Sequence, residues 1–183
     1  MELESKQRKK IIQKAEKVFF DAMLDGYAGN KKNSVKVIES SGYKRITFVS
    51  GNYKVVDHYC VTPLSDFSAG TTTIFYRFRP RGRWMAVWWM SYSGCYPKEV
   101  ISFLKMALNY AYKQREFHGG RGLATHGFYN DTRVGNYDKN LLKYENTIFL
   151  GGGFENFAGM EHIFFTATSG EIGFHEYNGR ILI

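Results

Sequence analysis

The chain of 183 residues carries 25 Lys and Arg against 17 Asp and Glu, a formal charge of +8, and 17% of it is aromatic. Aromatic residues on this scale favour strands and argue against an all-helical protein, while the basic balance suits an anionic partner. Cys60 and Cys95 are too few for a disulfide framework, and no run has the apolar length of a membrane span.

The length suits one domain over 1–183. The charged N-terminus lacks the apolar core of an export signal, so the expectation is a cytoplasmic protein with reduced thiols and no membrane partner. Residues 1–26 read as a helix, with Ile11, Ile12, Ala15, Val18, Phe19, Ala22 and Met23 on one stripe. Gly26 then stands where a helix end favours a left-handed residue. Lys6, Arg8, Lys9, Lys10, Lys14 and Lys17 crowd the first half of that helix. Cations there oppose the helix dipole, and they serve either as a phosphate-binding arm or as a solvated helix start.

Residues 27–96 form a first β unit, with strands near 34–39, 44–49, 53–60, 71–79 and 83–92. Ser50-Gly51-Asn52 and Pro80-Arg81-Gly82 are its turn signals. A second helix covers 97–116, with Pro97 in its first turn and Val100, Ile101, Phe103, Leu104, Ala107, Leu108 and Ala111 on its apolar face. The Gly- and Asn-rich stretch 117–143 reads as a long loop. Residues 144–183 form a second β unit, with strands near 144–150, 160–167 and 171–178. This order predicts an α+β fold, a mainly antiparallel sheet from two repeated β-meanders with two helices packed on it.

The repetition is visible in the letters. Asp66-Phe67 and Ala69-Gly70 lead to Ile74-Phe75-Tyr76 and close on Tyr92-Ser93-Gly94. Asn156-Phe157-Ala158-Gly159 lead to Ile163-Phe164-Phe165 and close on Tyr177-Asn178-Gly179. Tyr53 and Tyr144 stand at the head of each unit. Aligned this way, Phe67 matches Phe157 as a buried aromatic and Ser68 is an insertion. Neither half buries a full core alone, so one pseudo-symmetric domain with a ligand at the seam is expected.

The same residues resemble the family catalogued as domain of unknown function 5680. The resemblance rests on Tyr27-Ala28-Gly29, on Gly51-Asn52-Tyr53 through Asp57 and Tyr59, and on Trp88-Trp89-Met90-Ser91-Tyr92-Ser93-Gly94. It continues through Phe103-Leu104-Lys105-Met106-Ala107-Leu108 to Phe157, Gly159, Glu161, Ile163 and Tyr177-Asn178-Gly179. It covers roughly residues 20–180, with Thr72 where the family's first Glu falls. Members of that family often follow a helix-turn-helix domain, so the resemblance implies a sensing or ligand-binding role and supplies no activity.

Several constellations bear on chemistry. With a two-residue Ser169-Gly170 loop, Glu161 and Glu176 share one face of the last hairpin, and His162 and His175 share the other. Two carboxylates on one face suit acid/base work, which makes Glu161 and Glu176 the catalytic candidates of a hydrolase reading; a solvated face and a hydrogen-bonded core are the alternative. Two histidines are half a zinc site without a third ligand, and no metal or cofactor is expected. The strand with Trp84, Trp88 and Tyr92 is apolar on both faces, as a central strand or an aromatic ligand wall would be. Arg77, Arg79, Arg81 and Arg83 on one hairpin suit phosphate, or else a charged edge that resists aggregation. His118-Gly119-Gly120-Arg121-Gly122 and Gly151-Gly152-Gly153 read as turns or anion-binding nests. His58 and Cys60 share a strand face without a third group to orient the base.

Together these point to a non-catalytic binding module for a small anionic, nucleotide-like ligand. The candidate ligand residues are the four arginines with Trp84, Trp88, Tyr92, Asp57, Tyr59, Glu161 and Tyr177. Nucleic-acid binding through the first helix and the Arg hairpin stays open, as do the paired-carboxylate hydrolase and an oligomer.

Overall fold

A computed structural model describes residues 4–26, 33–122, 128–130 and 142–183. Tyr27-Ala28-Gly29 and most of 123–141 lie outside the described residues. Helix α1 (Ser5–Gly26) leads into strands β1 (Val35–Ile38), β2 (Lys44–Ser50), β3 (Tyr53–Val61), β4 (Phe67–Tyr76) and β5 (Met85–Cys95). A 3-10 turn at Lys98–Val100 opens α2 (Ile101–Gln114), and β6 (Phe128–Asn130), β7 (Leu142–Gly153), β8 (Asn156–Phe165) and β9 (Glu171–Ile181) follow. The result is the α+β architecture that the alternation of patterns predicts.

The described strands form one antiparallel sheet in the order β1-β2-β3-β4-β5-β9-β8-β7-β6. The two meanders, β3-β4-β5 and β7-β8-β9, meet along β5 and β9, so the order reads alike outward from that junction as far as β2 and β6, with β1 the extra edge strand. Tyr92 pairs with Tyr177 at the centre of that junction. Each Tyr also pairs with the Ala-Gly glycine of its own unit, Gly70 and Gly159. A pseudo-two-fold axis therefore runs through the Tyr92–Tyr177 pair.

The register corrects the alignment read from the letters. Ser68 pairs with Gly94 as Phe157 pairs with Gly179, so Ser68 occupies the place of Phe157 and is no insertion. Phe67 is 58% exposed, whereas Phe157 is 1% exposed. Val55 faces Ile74 as Tyr144 faces Ile163, so the two leading tyrosines are not equivalent either. Short motifs align by identity of letters; strands align by hydrogen-bonded partner, and here the two differ by a residue or two.

Both helices cover one face of the sheet. The predicted stripe of α1 is buried from Ile11 to Met23, together with Phe20, and Phe103, Leu104, Ala107, Leu108 and Ala111 of α2 are buried as well. Phe19 stands at the centre, against Trp88, Tyr112, Phe117 and Phe154 at ring distances of 5.4–6.3 Å. Trp88 is fully buried, and its indole N–H donates to the Phe154 carbonyl at 2.9 Å. It belongs to the core and to no ligand wall. Gly26 does not take the left-handed conformation; a Cβ there would stand 2.9 Å from Ile46 Cγ2, so glycine lets α1 approach β2. The left-handed residue at a helix end is Arg115, after α2.

Candidate ligand-binding site

Alternation in the central strands sends Asp57, Thr72, Tyr92, His175, Tyr177, Glu161, Asn146 and Tyr144 toward the helices, where apolar residues would be expected. All are held by partners. Tyr92 Oη donates to Asp57 Oδ1 at 2.8 Å and Thr72 Oγ1 donates to the same oxygen at 3.0 Å. In the second unit Tyr177 Oη donates to Asn146 Oδ1 at 2.6 Å. Asp57 pairs with Thr72 as Asn146 pairs with Glu161, so these two hydrogen bonds are related by the pseudo-two-fold.

Glu161 is 0% exposed. Its Oε2 accepts from Tyr144 Oη at 2.6 Å, and its Oε1 lies 3.6 Å from both Arg121 Nε and His175 Nδ1. Arg121 arrives on the His118–Gly122 segment, which lies on the sheet. Gly122 N–H donates to Tyr144 Oη at 2.9 Å, Asn146 Nδ2 donates to the His118 carbonyl at 3.0 Å, and Tyr112 Oη donates to the Gly120 carbonyl at 3.3 Å. Gly119 and Gly122 permit the approach: a Cβ at either would stand under 2.5 Å from the ring of Tyr177 or Tyr144. Gly119 and Gly120 also take positive φ of 66° and 74°. The segment thus delivers a guanidinium into the interior, where it lies 4.6 Å over the Tyr92 ring.

His175 completes the group. Ser68 Oγ is 3.0 Å from its Nε2, and Arg121 Nη2 is 3.5 Å from its Nδ1. Arginine can only donate, which assigns Nδ1 as acceptor and places the proton on Nε2, donated to Ser68. Burial, and then the Arg121 charge, push the His175 imidazole down to about 2. Burial raises the Asp57 carboxyl, against the opposing hydrogen bonds from Tyr92 and Thr72 and the Arg121 charge. Burial and Glu161 hold the Tyr144 phenol well above its usual range.

A cavity of about 310 Å³ opens beside this cluster, lined by Asp57, Tyr59, Ser68, Tyr92, Arg121 and His175 on the polar side. Met23, Met90, Ile101 and Leu104 line the apolar side, and Lys98, Lys105 and Asp66 stand toward the β3–β4 connection and the start of α2. Ser68 borders the cavity on the first unit's side, at the position that Phe157 fills in the second unit.

Of the residues expected from sequence, Asp57, Tyr59 and Tyr92 line the cavity, and Glu161 and Tyr177 belong to the network behind it. Arg77, Arg79, Arg81, Arg83 and Trp84 lie at the opposite end of the sheet. Glu161 and Glu176 do not share a face: Glu161 pairs with His175, and Glu176 pairs with Met160. The register shift between Ile163 and Phe164 causes the change; the longer loop, closed by Phe165 N–H to the Gly170 carbonyl at 3.0 Å, would by itself have left the two carboxylates on one face. Glu176 instead lines a broad depression on the open face with Ser91, Ser93 and Asn178. His162 is also on the open face, 2.7 Å from Glu171, away from His175. His58 does have an orienting group, Glu39 Oε2 at 3.1 Å. Gly151-Gly152-Gly153 is a bulged end of β7. Among the described residues no three His, Cys, Asp or Glu side chains converge as a metal ion would need, and no helix is long and apolar enough to cross a membrane.

Sequence reading missed Arg121, Ser68, His175 as an anchor, Asn146 and Tyr144. The one local signal was the Gly-Gly-Arg-Gly run, whose glycines allow close approach. No family model, curated protein or solved structure matches this chain.

Proposed function

We propose that this protein is a non-catalytic binding module for one small anionic ligand held in the cavity beside Arg121. The observation that carries the reading is the break in pseudo-symmetry: Ser68 stands where the other half has Phe157, next to a cavity edged by buried polar groups. Its volume of about 310 Å³ is near the low end of ordinary ligand sites, about 300–1,000 Å³, and suits a mononucleotide or a smaller metabolite. Arg121, Lys98 and Lys105 outnumber Asp57 and Asp66 among the charged groups around it, which favours an anion. The resemblance to a family often joined to helix-turn-helix domains agrees with such a role.

Ser68, His175 and Glu161 fall in the order of a nucleophile, base and orienting acid. Arg121 argues against that chemistry here. Its guanidinium beside Nδ1 disfavours the imidazolium that a general base must become, and the Nε2 proton points at the would-be nucleophile. The arrangement suits a fixed polar anchor whose Ser68 hydroxyl can donate to a ligand.

A thermal-shift series over mononucleotides and small aromatic carboxylates tests the reading. A saturable rise in Tm, weakened in Lys98→Gln/Lys105→Gln, is expected, because a ligand of the native state stabilises it by mass action. No rise with any anion, or a rise confined to neutral or cationic analogues, overturns it.

A further inference from the structure

The sheet gathers cations at the end away from the cavity. Tyr53 Oη donates to the Ile11 carbonyl at 3.2 Å, which sets the start of α1 beside the β2–β3 turn. Arg77 N–H donates to the Asn52 carbonyl at 3.0 Å, and its Nη2 lies 3.4 Å from the Gly51 carbonyl, which sets the Arg hairpin beside the same turn. Arg8 Nε donates to the Ile183 carbonyl at 2.8 Å and pairs with Glu155 at 3.5 Å, adding the β7–β8 turn and the strand β9 end.

Segments far apart in sequence thereby pool Lys6, Arg8, Lys9 and Lys10 with the four hairpin arginines, Lys54 and Arg180. Among the described residues of these segments Glu4 and Glu155 are the acids. Like charges at this density repel one another, and a polyanion relieves that cost while releasing its counterions.

Aromatic rings are set among the cations. On the open face Lys54 pairs with Phe75 and Trp89 pairs with Arg180, while Phe75 lies opposite Ala86 and Trp89 opposite Thr73, so the two rings are diagonal neighbours and cation, ring, ring and cation step obliquely across four strands. Lys54 Nζ lies 4.6 Å from the Phe75 ring and 5.0 Å from that of Trp84, which Arg77 covers at 4.5 Å. Strand spacing of about 4.8 Å makes this strip roughly 15 Å long, enough for two or three nucleotides.

We infer that this end of the open sheet face is a binding surface for single-stranded nucleic acid. Bases stack on Phe75 and Trp89, and the backbone phosphates run past Lys54, Arg180 and the Arg hairpin. The site is separate from the cavity and stands or falls without it.

Fluorescence anisotropy with a labelled 12-nucleotide single strand, as DNA and as RNA, over a salt series tests it. Arg79→Gln/Arg81→Gln/Arg83→Gln changes exposed residues. Its affinity should fall roughly a hundred-fold near 0.1 M salt, and the slope of log affinity against log salt should fall by about two. Trp89→Ala, checked for native circular dichroism, should weaken binding about ten-fold with the slope unchanged. Lys36→Gln/Lys113→Gln, away from this end, should bind as the parent does. The inference is overturned by absence of strand binding at low salt, or by binding that the arginine triple variant leaves intact. Equal binding of heparin with no effect of Trp89→Ala also overturns it, since a surface without base stacking remains.

Discussion

Tyr92 and Tyr177 face each other across the central strand pair, and each phenol donates to the side chain at the same position of its own half, Asp57 at 2.8 Å and Asn146 at 2.6 Å. One half uses a carboxyl where the other uses an amide. The carboxyl is the one beside the cavity, and burial raises its pKa. The symmetry-related amide shows that the fold accepts a neutral group at this position.

Asp57→Asn should therefore change stability by less than about 1 kcal/mol at pH 7, because it replaces a buried acid by the amide used across the axis. Tyr92→Phe in the parent should cost about 1.5–3 kcal/mol, and less in the Asp57→Asn background, since hydrogen bonds to charged acceptors are the stronger. Urea melts of the four proteins form the cycle. Equal costs in both backgrounds would mean that Asp57 is neutral in the native state.

Ser68→Phe places in the first half the ring that Phe157 supplies in the second. The ring occupies the cavity, so any ligand-dependent rise in Tm should vanish while unfolding stays cooperative. A retained ligand shift would locate the ligand elsewhere, with the open-face depression around Ser91 and Asn178 the next place to look.

The two phenylalanines of the motif should differ sharply. Phe157→Ala should cost about 3–5 kcal/mol, as truncation of a buried aromatic does. Phe67→Ala should cost less than about 1 kcal/mol, because its ring is largely exposed. Denaturant midpoints measured at equal slope decide the matter.

His175 makes stability depend on pH. Its folded pKa, about 2, lies below the ordinary value of 6.5. Between those values the unfolded chain binds the extra proton, so stability is lost as pH falls below 6.5. The loss from pH 7.5 to 5 should be about 2 kcal/mol for this group. Asp57, raised by burial, acts in the opposite direction above its ordinary value of 3.8. Subtracting the profile of His175→Gln from that of the parent isolates the histidine. A flat difference would mean that His175 is protonated or solvated in the native protein.

Much of the site is illegible in the sequence for one geometric reason. Side chains alternate faces along a strand, so one shifted residue exchanges the two faces. The shift between Ile163 and Phe164 sends Glu161 inward with His175 and leaves Glu176 outside. No letter marks it. Asp57 and Tyr59 stand out through the resemblance and Tyr92 through the aromatic strand, and plain alternation holds around each, since β3 has no register shift and the one in β5, opposite Ile74 and Phe75, comes before Trp88.

Composition and pattern suffice for the two helices and their apolar stripes, the strands of the two meanders and the surplus of positive charge, but not for β6, which lies within the stretch 117–143 read as a loop. Those properties are local, set by periodicity, turn residues and composition. That Ser68 answers to Phe157, that Arg121 enters the interior beside His175, and that the start of α1 joins the Arg hairpin at one end follow from the folded chain alone. Each depends on partners far apart in the chain, Ser68 and His175 by 107 positions, and long-range pairing is chosen by strand register and packing rather than by any nearby residue.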